Sequence, residues 1–325
     1  MTRFRISLSV GVAAFSLVLA AAPAHALNLV SYVSEFTGNN GNSCDSPTAP
    51  CLGIAGALLK TEPGGEIKCL DNHGDFAITI DKPITIDCAA SNRIYGFSGQ
   101  VAVTVNLNEA THPNGVVKLR NLSINGFLGN GAISSGTDGI RVIGGGGEVQ
   151  IENCTILGFA QQGIDFTPTS SVDLFVRNTV ISNNAGGGIL IKPTGAVDAK
   201  MALDDVSVDG NPTGITIDGR STTGSIKTTV RDSSTTGNTS FGLFAVDSGG
   251  GVTDVTVEES TAANNGSFGI GANGANATVR VRNSAVTGNA NGLVAAASSS
   301  LVSLGGNNVV GNTTNGTFTS ALTQQ

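Results

Sequence analysis

The chain has no tryptophan, two tyrosines (Tyr32 and Tyr95) and three histidines, none of them after His112. Sugar-processing clefts generally offer flat aromatic faces, and histidine is the side chain best suited to proton transfer near neutral pH. Both scarcities weigh against an ordinary hydrolytic groove. Charge is sparse as well. Asp, Glu, Lys and Arg make up 13% of the residues, and 24 acids outnumber 17 bases. An acidic surface repels polyanions at long range, which excludes nucleic acid and disfavours pectate or alginate unless a cation bridges the contact. Beyond the first two dozen residues, no run is apolar enough to cross a bilayer.

That first segment has a different character. Met1-Thr2-Arg3-Phe4-Arg5 is basic, Ile6 to Ala22 is apolar, and Ala24-His25-Ala26 is a small-residue exit. The pattern predicts a secretory signal peptide over 1–26, cleaved near Ala26. A membrane anchor is the alternative, but the run is short for a span. Without Arg3 and Arg5, 15 bases face 24 acids, a net charge of about −9. The expected location is extracellular or periplasmic. Five cysteines suit an oxidising compartment. Cys44 and Cys51 bracket DSPTAP, a loop that a disulfide can close. Cys69 and Cys88 alternate inward with Ile67 and Ile86, which sets up a second bridge. Cys154 is left over and reads as a buried core thiol.

What the chain has in quantity is Gly, Asn, Thr, Ser and Val in a periodic order, which argues against disorder. VKLRN, VQIEN, LFVRN, MALDD, TTVRD, VTVEE and VRVRN superpose, ending at Asn121, Asn153, Asn178, Asp205, Asp232, Glu259 and Asn283. The intervals are 32, 25, 27, 27, 27 and 24 residues. Each interval reads as two short strands, a glycine-marked corner, a third strand and a loose turn. A period in the mid-twenties predicts an all-β, right-handed parallel β-helix. Left-handed helices use shorter coils, the GGxGxD calcium repeat is absent, and the LxxLxL spacing of leucine-rich repeats is missing. Residues 50–60 predict a short amphipathic helix that caps the open first coil. The expected organisation is a cap segment over 27–65, the β-helix over 66–318 and a tail over 319–325.

Two columns test the alignment. The residues just before the anchors are Arg120, Glu152, Arg177, Asp204, Arg231, Glu258 and Arg282, with Asp87 one coil earlier. Their signs alternate at every step. Stacked coils bring such residues about 4.8 Å apart, where opposite charges contribute roughly 0.2–1 kcal/mol per pair. Six residues after the anchors stand Phe127, Phe159, Asn184, Asn211, Asn238, Asn265 and Asn289, then Asn312. This predicts an asparagine ladder at a turn, with left-handed backbone at the Asn itself and the two Phe rings stacked at its start. A third feature is a glycine before an apolar residue, from Gly139-Ile140 to Gly292-Leu293, read as a corner. The inward column Ile124, Ile156, Ile181, Val208 becomes Thr235, Ala262 and Val286, so the core is expected to thin toward the C-terminus.

The Asn ladder, the Phe pair, the capping helix and the GGEIKCLD…ITIDC start resemble the pectate-lyase-like superfamily of right-handed β-helix proteins, over about 27–318. More narrowly, the chain resembles secreted bacterial right-handed β-helix repeat proteins. The resemblance implies polysaccharide lyases, glycoside hydrolases, epimerases or noncatalytic adhesins. The NTD…DD…GHG…RIK pattern of polygalacturonase-like members is not present: Asp204-Asp205 is a lone DD and no GHG exists. The DPHE motif of alginate epimerases is missing too.

The best local constellation lies outward on the third strand. Arg141, Asp165, Leu190, Thr216 and Phe244 should form one stack, and Thr167, Lys192 and Asp218 the next. Arg141 then pairs with Asp165, and Lys192 with Asp218. This offers carboxylates, cations and an aromatic face for a sugar, or simply two surface ion pairs. Asp138 can add a carboxylate or serve only the turn. Asp204, Asp205 and Asp209 could recruit calcium, although strand alternation should turn Asp204 and Asp205 to opposite faces. The expected function is noncatalytic, a long rigid face for an extracellular polysaccharide or a cell-surface protein, with no cofactor. The alternative is a polysaccharide lyase or glycoside hydrolase using Arg141, Asp165, Lys192 and Asp218, and only that reading would call for calcium.

Overall fold

The computed structural model describes residues 27–72, 74–127 and 135–322. The expected signal peptide lies outside the described residues. Among those described, no helix is long and apolar enough to cross a membrane. The chain winds into a parallel β-solenoid of about eight turns. One parallel sheet holds the first and second strands of each coil, and a nine-stranded parallel sheet holds the third strands. Val, Ile and Thr alternating with polar residues produce this: successive side chains point in and out, and β-branched residues fit the pleat.

Register follows the repeat. Leu119, Ile151, Val176, Leu203, Val230, Val257 and Val281 stack rung on rung, all essentially buried. Each such side chain stabilises the fold by about 1.5–3 kcal/mol. The column Ile124, Ile156, Ile181, Val208, Thr235, Ala262, Val286 is also in register. Where it thins, Thr235 and Ala262 border a cavity of about 10 Å3, room for about one water molecule.

The regular stack begins before residue 66. Asn28–Val33 already pairs in parallel with Thr61–Cys69. That second strand runs through Pro63, Gly64 and Gly65. A register shift between Asn28 and Val30 and a left-handed Gly64, φ 85°, absorb the proline, as bulges do. The cap helix is short, Ile54–Leu58, and its Ile54 N–H donates to the Asp75 carboxylate of a neighbouring strand. At the other end, Phe318 packs on the core, and Ser320–Ala321 pairs with Val302 and Ser303. The tail therefore supplies a partial last rung. Cys44–Cys51 and Cys69–Cys88 are disulfides. Cys154 is a buried free thiol, which burial pushes up to about pKa 12.

The left-handed backbone sits elsewhere than expected. All seven anchors, from Asn121 to Asn283, have φ between 44° and 58°. Each bends the chain between first and second strands and breaks the in–out alternation. Asp204 and Asp205 therefore both reach the surface instead of facing opposite ways. In the ladder turn the left-handed residue precedes the Asn: Asn183, Gly210, Gly237, Asn264, Gly288 and Gly311. The ladder Asn then points inward. Asn184, Asn211, Asn238, Asn265 and Asn289 are buried, and each backbone N–H donates to the next amide oxygen at 2.9–3.1 Å. Asn312 continues the chain and donates to Asn315.

The expected Phe127–Phe159 stack does not form. Phe127 itself is left-handed, φ 60°, so its ring turns outward and stacks on Tyr95 at 4.8 Å. Gly158 takes that role in the next coil, φ 77°, and Phe159 goes fully inside. There its N–H donates to the Asn184 oxygen at 3.1 Å. The corner glycines are needed for contact distance. A Cβ at Gly188 would lie 2.1 Å from Val208 Cγ1, and one at Gly139 would lie 2.4 Å from Ile156 Cγ2.

Candidate functional site

The alternating charges of the first strand engage one another. Asp87, Arg120, Glu152, Arg177, Asp204, Arg231, Glu258 and Arg282 lie in one register column. Arg120 meets Glu152 at 2.8 Å, and Asp204 takes Arg177 at 3.3 Å and Arg231 at 2.9 Å. Asp204 is thereby occupied. Among the described residues, no group of three or more His, Cys, Asp or Glu side chains could hold a metal ion.

The third-strand face is organised differently. Arg141, Asp165, Leu190, Thr216 and Phe244 occupy one outward column, and the next rungs add Gly271 and Val294. Arg141 Nε donates to Asp165 Oδ2 at 2.9 Å, and its Nη2 donates to Asp138. Asp138 is fully buried, and its Oδ1 accepts the Gln162 N–H at 2.8 Å. One guanidinium therefore serves two carboxylates. Asp165 keeps a buried Oδ1 with no hydrogen-bond donor. Burial raises its pKa above the ordinary carboxylate value, and the Asp138 charge raises it further. Arg141 and, less, Thr167 offset part of this. Oδ1 is sealed from the surface and Oδ2 is held by Arg141, and if protonated the carboxyl can donate.

Lys192 and Asp218 form a second cluster. Their ion pair measures 3.3 Å, and Arg220 grips the same carboxylate twice, at 2.8 and 2.7 Å. Burial pushes the buried Asp218 up, but the Arg220 bonds outweigh it and leave the pKa lowered. Two cations on one carboxylate leave a spare positive charge beside the strip. The four candidates thus gather as two pairs.

Sequence reasoning gave Arg220 no role, although its i,i+2 spacing from Asp218 was visible. It also missed Phe241 and Phe268, which pack on Phe244. Phe241 stacks on Phe268 at 5.1 Å, and Phe244 lies 5.3 and 5.4 Å from the two. A second buried ladder was missed as well. Thr179, Ser233, Ser260 and Ser284 accept backbone N–H groups of the preceding coil at 3.0–3.3 Å, and the half-buried Asn307 takes the same place one coil on at 3.1 Å. Its signal was a hydroxyl residue just after the anchor.

The right handed beta helix region matches residues 71–226 and 138–314. The chain belongs to the right-handed β-helix family. No curated protein matches it. Among solved structures, this β-helix is similar to pectate lyase Pel9A at 16% identity and a TM-score of 0.59, covering 91% of this chain and 78% of that one. At that identity the likeness is one of fold. The Azotobacter vinelandii mannuronan C-5 epimerase AlgE6 A-module aligns more distantly, at 16% identity and a TM-score of 0.36, over 80% of this chain and 92% of that one.

Proposed function

We propose that this β-helix protein binds an extracellular glycan on its third-strand face without turning it over. The observation that carries the reading is the half-buried cluster of Phe241, Phe244 and Phe268 on that face, with Phe241 stacked on Phe268 at 5.1 Å. Aromatic rings offer a flat apolar surface against which the apolar face of a sugar packs. The self-engaged charges of the first strand support a rigid scaffold beside it.

A polysaccharide lyase or hydrolase is the second reading. It is favoured by the raised pKa of Asp165 beside Asp138, the condition in which a carboxyl group can act as general acid. A panel of neutral and acidic polysaccharides, with and without calcium, separates the two. Binding lost in Phe244→Ala, with no new reducing or unsaturated ends, is the expected result. Turnover abolished by Asp165→Ala or Lys192→Ala would overturn noncatalytic binding in favour of the enzyme.

A further inference from the structure

The two ends of the solenoid are finished differently. At the N-terminal end the outer edge of Asn28–Val33 is occupied. The Tyr32 N–H donates to Cys44 O and the Cys51 N–H to Tyr32 O, both at 2.8 Å. The disulfide between those cysteines and the cap helix close the first coil. At the C-terminal end, among the described residues, Asn291–Ala296, Asn308–Val309 and Ser320–Ala321 each pair with a strand on one side only, apart from a bridge between Asn291 and Thr314. The core columns run out with them. Phe166, Ile191, Ile217, Ala245 and Ala272 are buried, whereas Ala295, next in register, is exposed. The column of Val257 and Val281 continues through Ser303 to Ala321, which is exposed too.

Open strand edges commonly carry Lys, Pro or inward-pointing charges, which stop other chains from pairing there. This end carries none of them. After Arg282 the sequence contains no Asp, Glu, Lys, Arg, His or Pro. Over the rest of the chain the acidic excess makes two copies repel, so the neutral end is where they can meet. We propose that the C-terminal end is a self-association surface, on which two copies of this chain join tail to tail about a two-fold axis. Such a contact is isologous. Asn291–Ala296 of one copy runs antiparallel to the same segment of the other, and the two open cores cover each other. Because the N-terminal edge is closed, the assembly stops at two copies and does not grow into a filament.

Sedimentation velocity over a concentration series, joined to small-angle X-ray scattering, tests the proposal. The expected result is a monomer–dimer equilibrium that stops at the dimer. About eight turns at about 4.8 Å each make a stack of about 38 Å, and only end-to-end joining doubles it. Ala295→Lys or Ala321→Lys sets like charges against each other across the axis and should weaken the dimer about tenfold or more. Leu59 is exposed at the opposite end, beside Asp45 and Lys60, and Leu59→Lys should leave the dimer unchanged. Circular dichroism shows whether each variant is folded, and Ala321→Lys, in the partial last rung, decides alone if Ala295→Lys is not. A protein that stays monomeric at every concentration, leaving this end to a different partner, overturns the proposal. So does a side-by-side dimer of unchanged length, a series of species beyond the dimer, or a dimer that the tail variants leave intact.

Discussion

Replacing Asn238 by Ala removes one rung from the middle of the buried amide ladder. The Asn238 Nδ2 group donates to Val208 O and to Asn265 Oδ1, both at 3.0 Å, and Oδ1 accepts the Asn211 N–H at 3.0 Å. Each bond contributes about 1 kcal/mol net, and stranding the buried Asn211 N–H adds about 1–3 kcal/mol. The expected loss is about 4–6 kcal/mol, which is large for a single residue. Asn312 makes similar bonds but is only partly buried at the stack end. Water can replace its partners, so Asn312→Ala should lose only about 1 kcal/mol. Urea unfolding followed by far-UV circular dichroism reads both, and the m-value checks that the array still unfolds as one unit. Asn238→Asp is a sharper test, because it sets a carboxylate oxygen against the Val208 carbonyl and should be no more stable than the alanine variant. An Asn238→Ala loss no larger than that of Asn312→Ala would refute burial as the source of the ladder's contribution.

Three further outcomes follow from single side chains. Thr228 is buried with a hydroxyl that has no partner, between Met201 and Val255 in register, so Thr228→Val should raise stability by about 1–2 kcal/mol in urea unfolding. Burial holds the Cys154 thiol near pKa 12, so iodoacetamide at pH 8 should leave it unmodified in the native protein and alkylate it in urea. Asp165 holds its proton to higher pH when folded than its ordinary value of 3.8. Stability should therefore fall as pH rises from that value through the folded pKa, and Asp165→Asn, read by thermal unfolding across pH 3–8, should remove this slope.

The repeat made much of the fold legible because three strands and an in-register charge column leave little freedom in how coils stack. Arg120 through Arg282 could be paired on paper, and Cys69 and Cys88 fell opposite one another because Ile67 and Ile86 fixed the register. The turns were less legible. Asn stands at both the anchors and the ladder, and its tolerance of left-handed backbone does not say which of two neighbours takes it. That ambiguity misplaced the bend by one residue, predicted a Phe127–Phe159 stack, and put Asp204 and Asp205 on opposite faces. At the site, pairing was readable from register, whereas burial was not. Nothing in the sequence distinguished Asp138, sealed under Arg141, from an ordinary turn aspartate, or marked the Asp165 oxygen as lacking a donor.

The two faces differ in a way that bears on function. On the first strand each inner charge of the column stands between opposite charges above and below, so the stack itself accounts for it. On the third strand, stacking does not demand a charge at all. Leu190 and Thr216 occupy the same column as Asp165 in the next two coils, and the core beneath them, Ile164, Ile189 and Ile215, is equally buried. The fold accepts an apolar or hydroxyl residue at that position. At 165 it carries instead a desolvated carboxylate that shares its only strong partner with Asp138. Local rules broken without a structural gain are expected where a ligand supplies the compensation. Asp165→Leu should therefore fold at least as well as the wild type in urea unfolding.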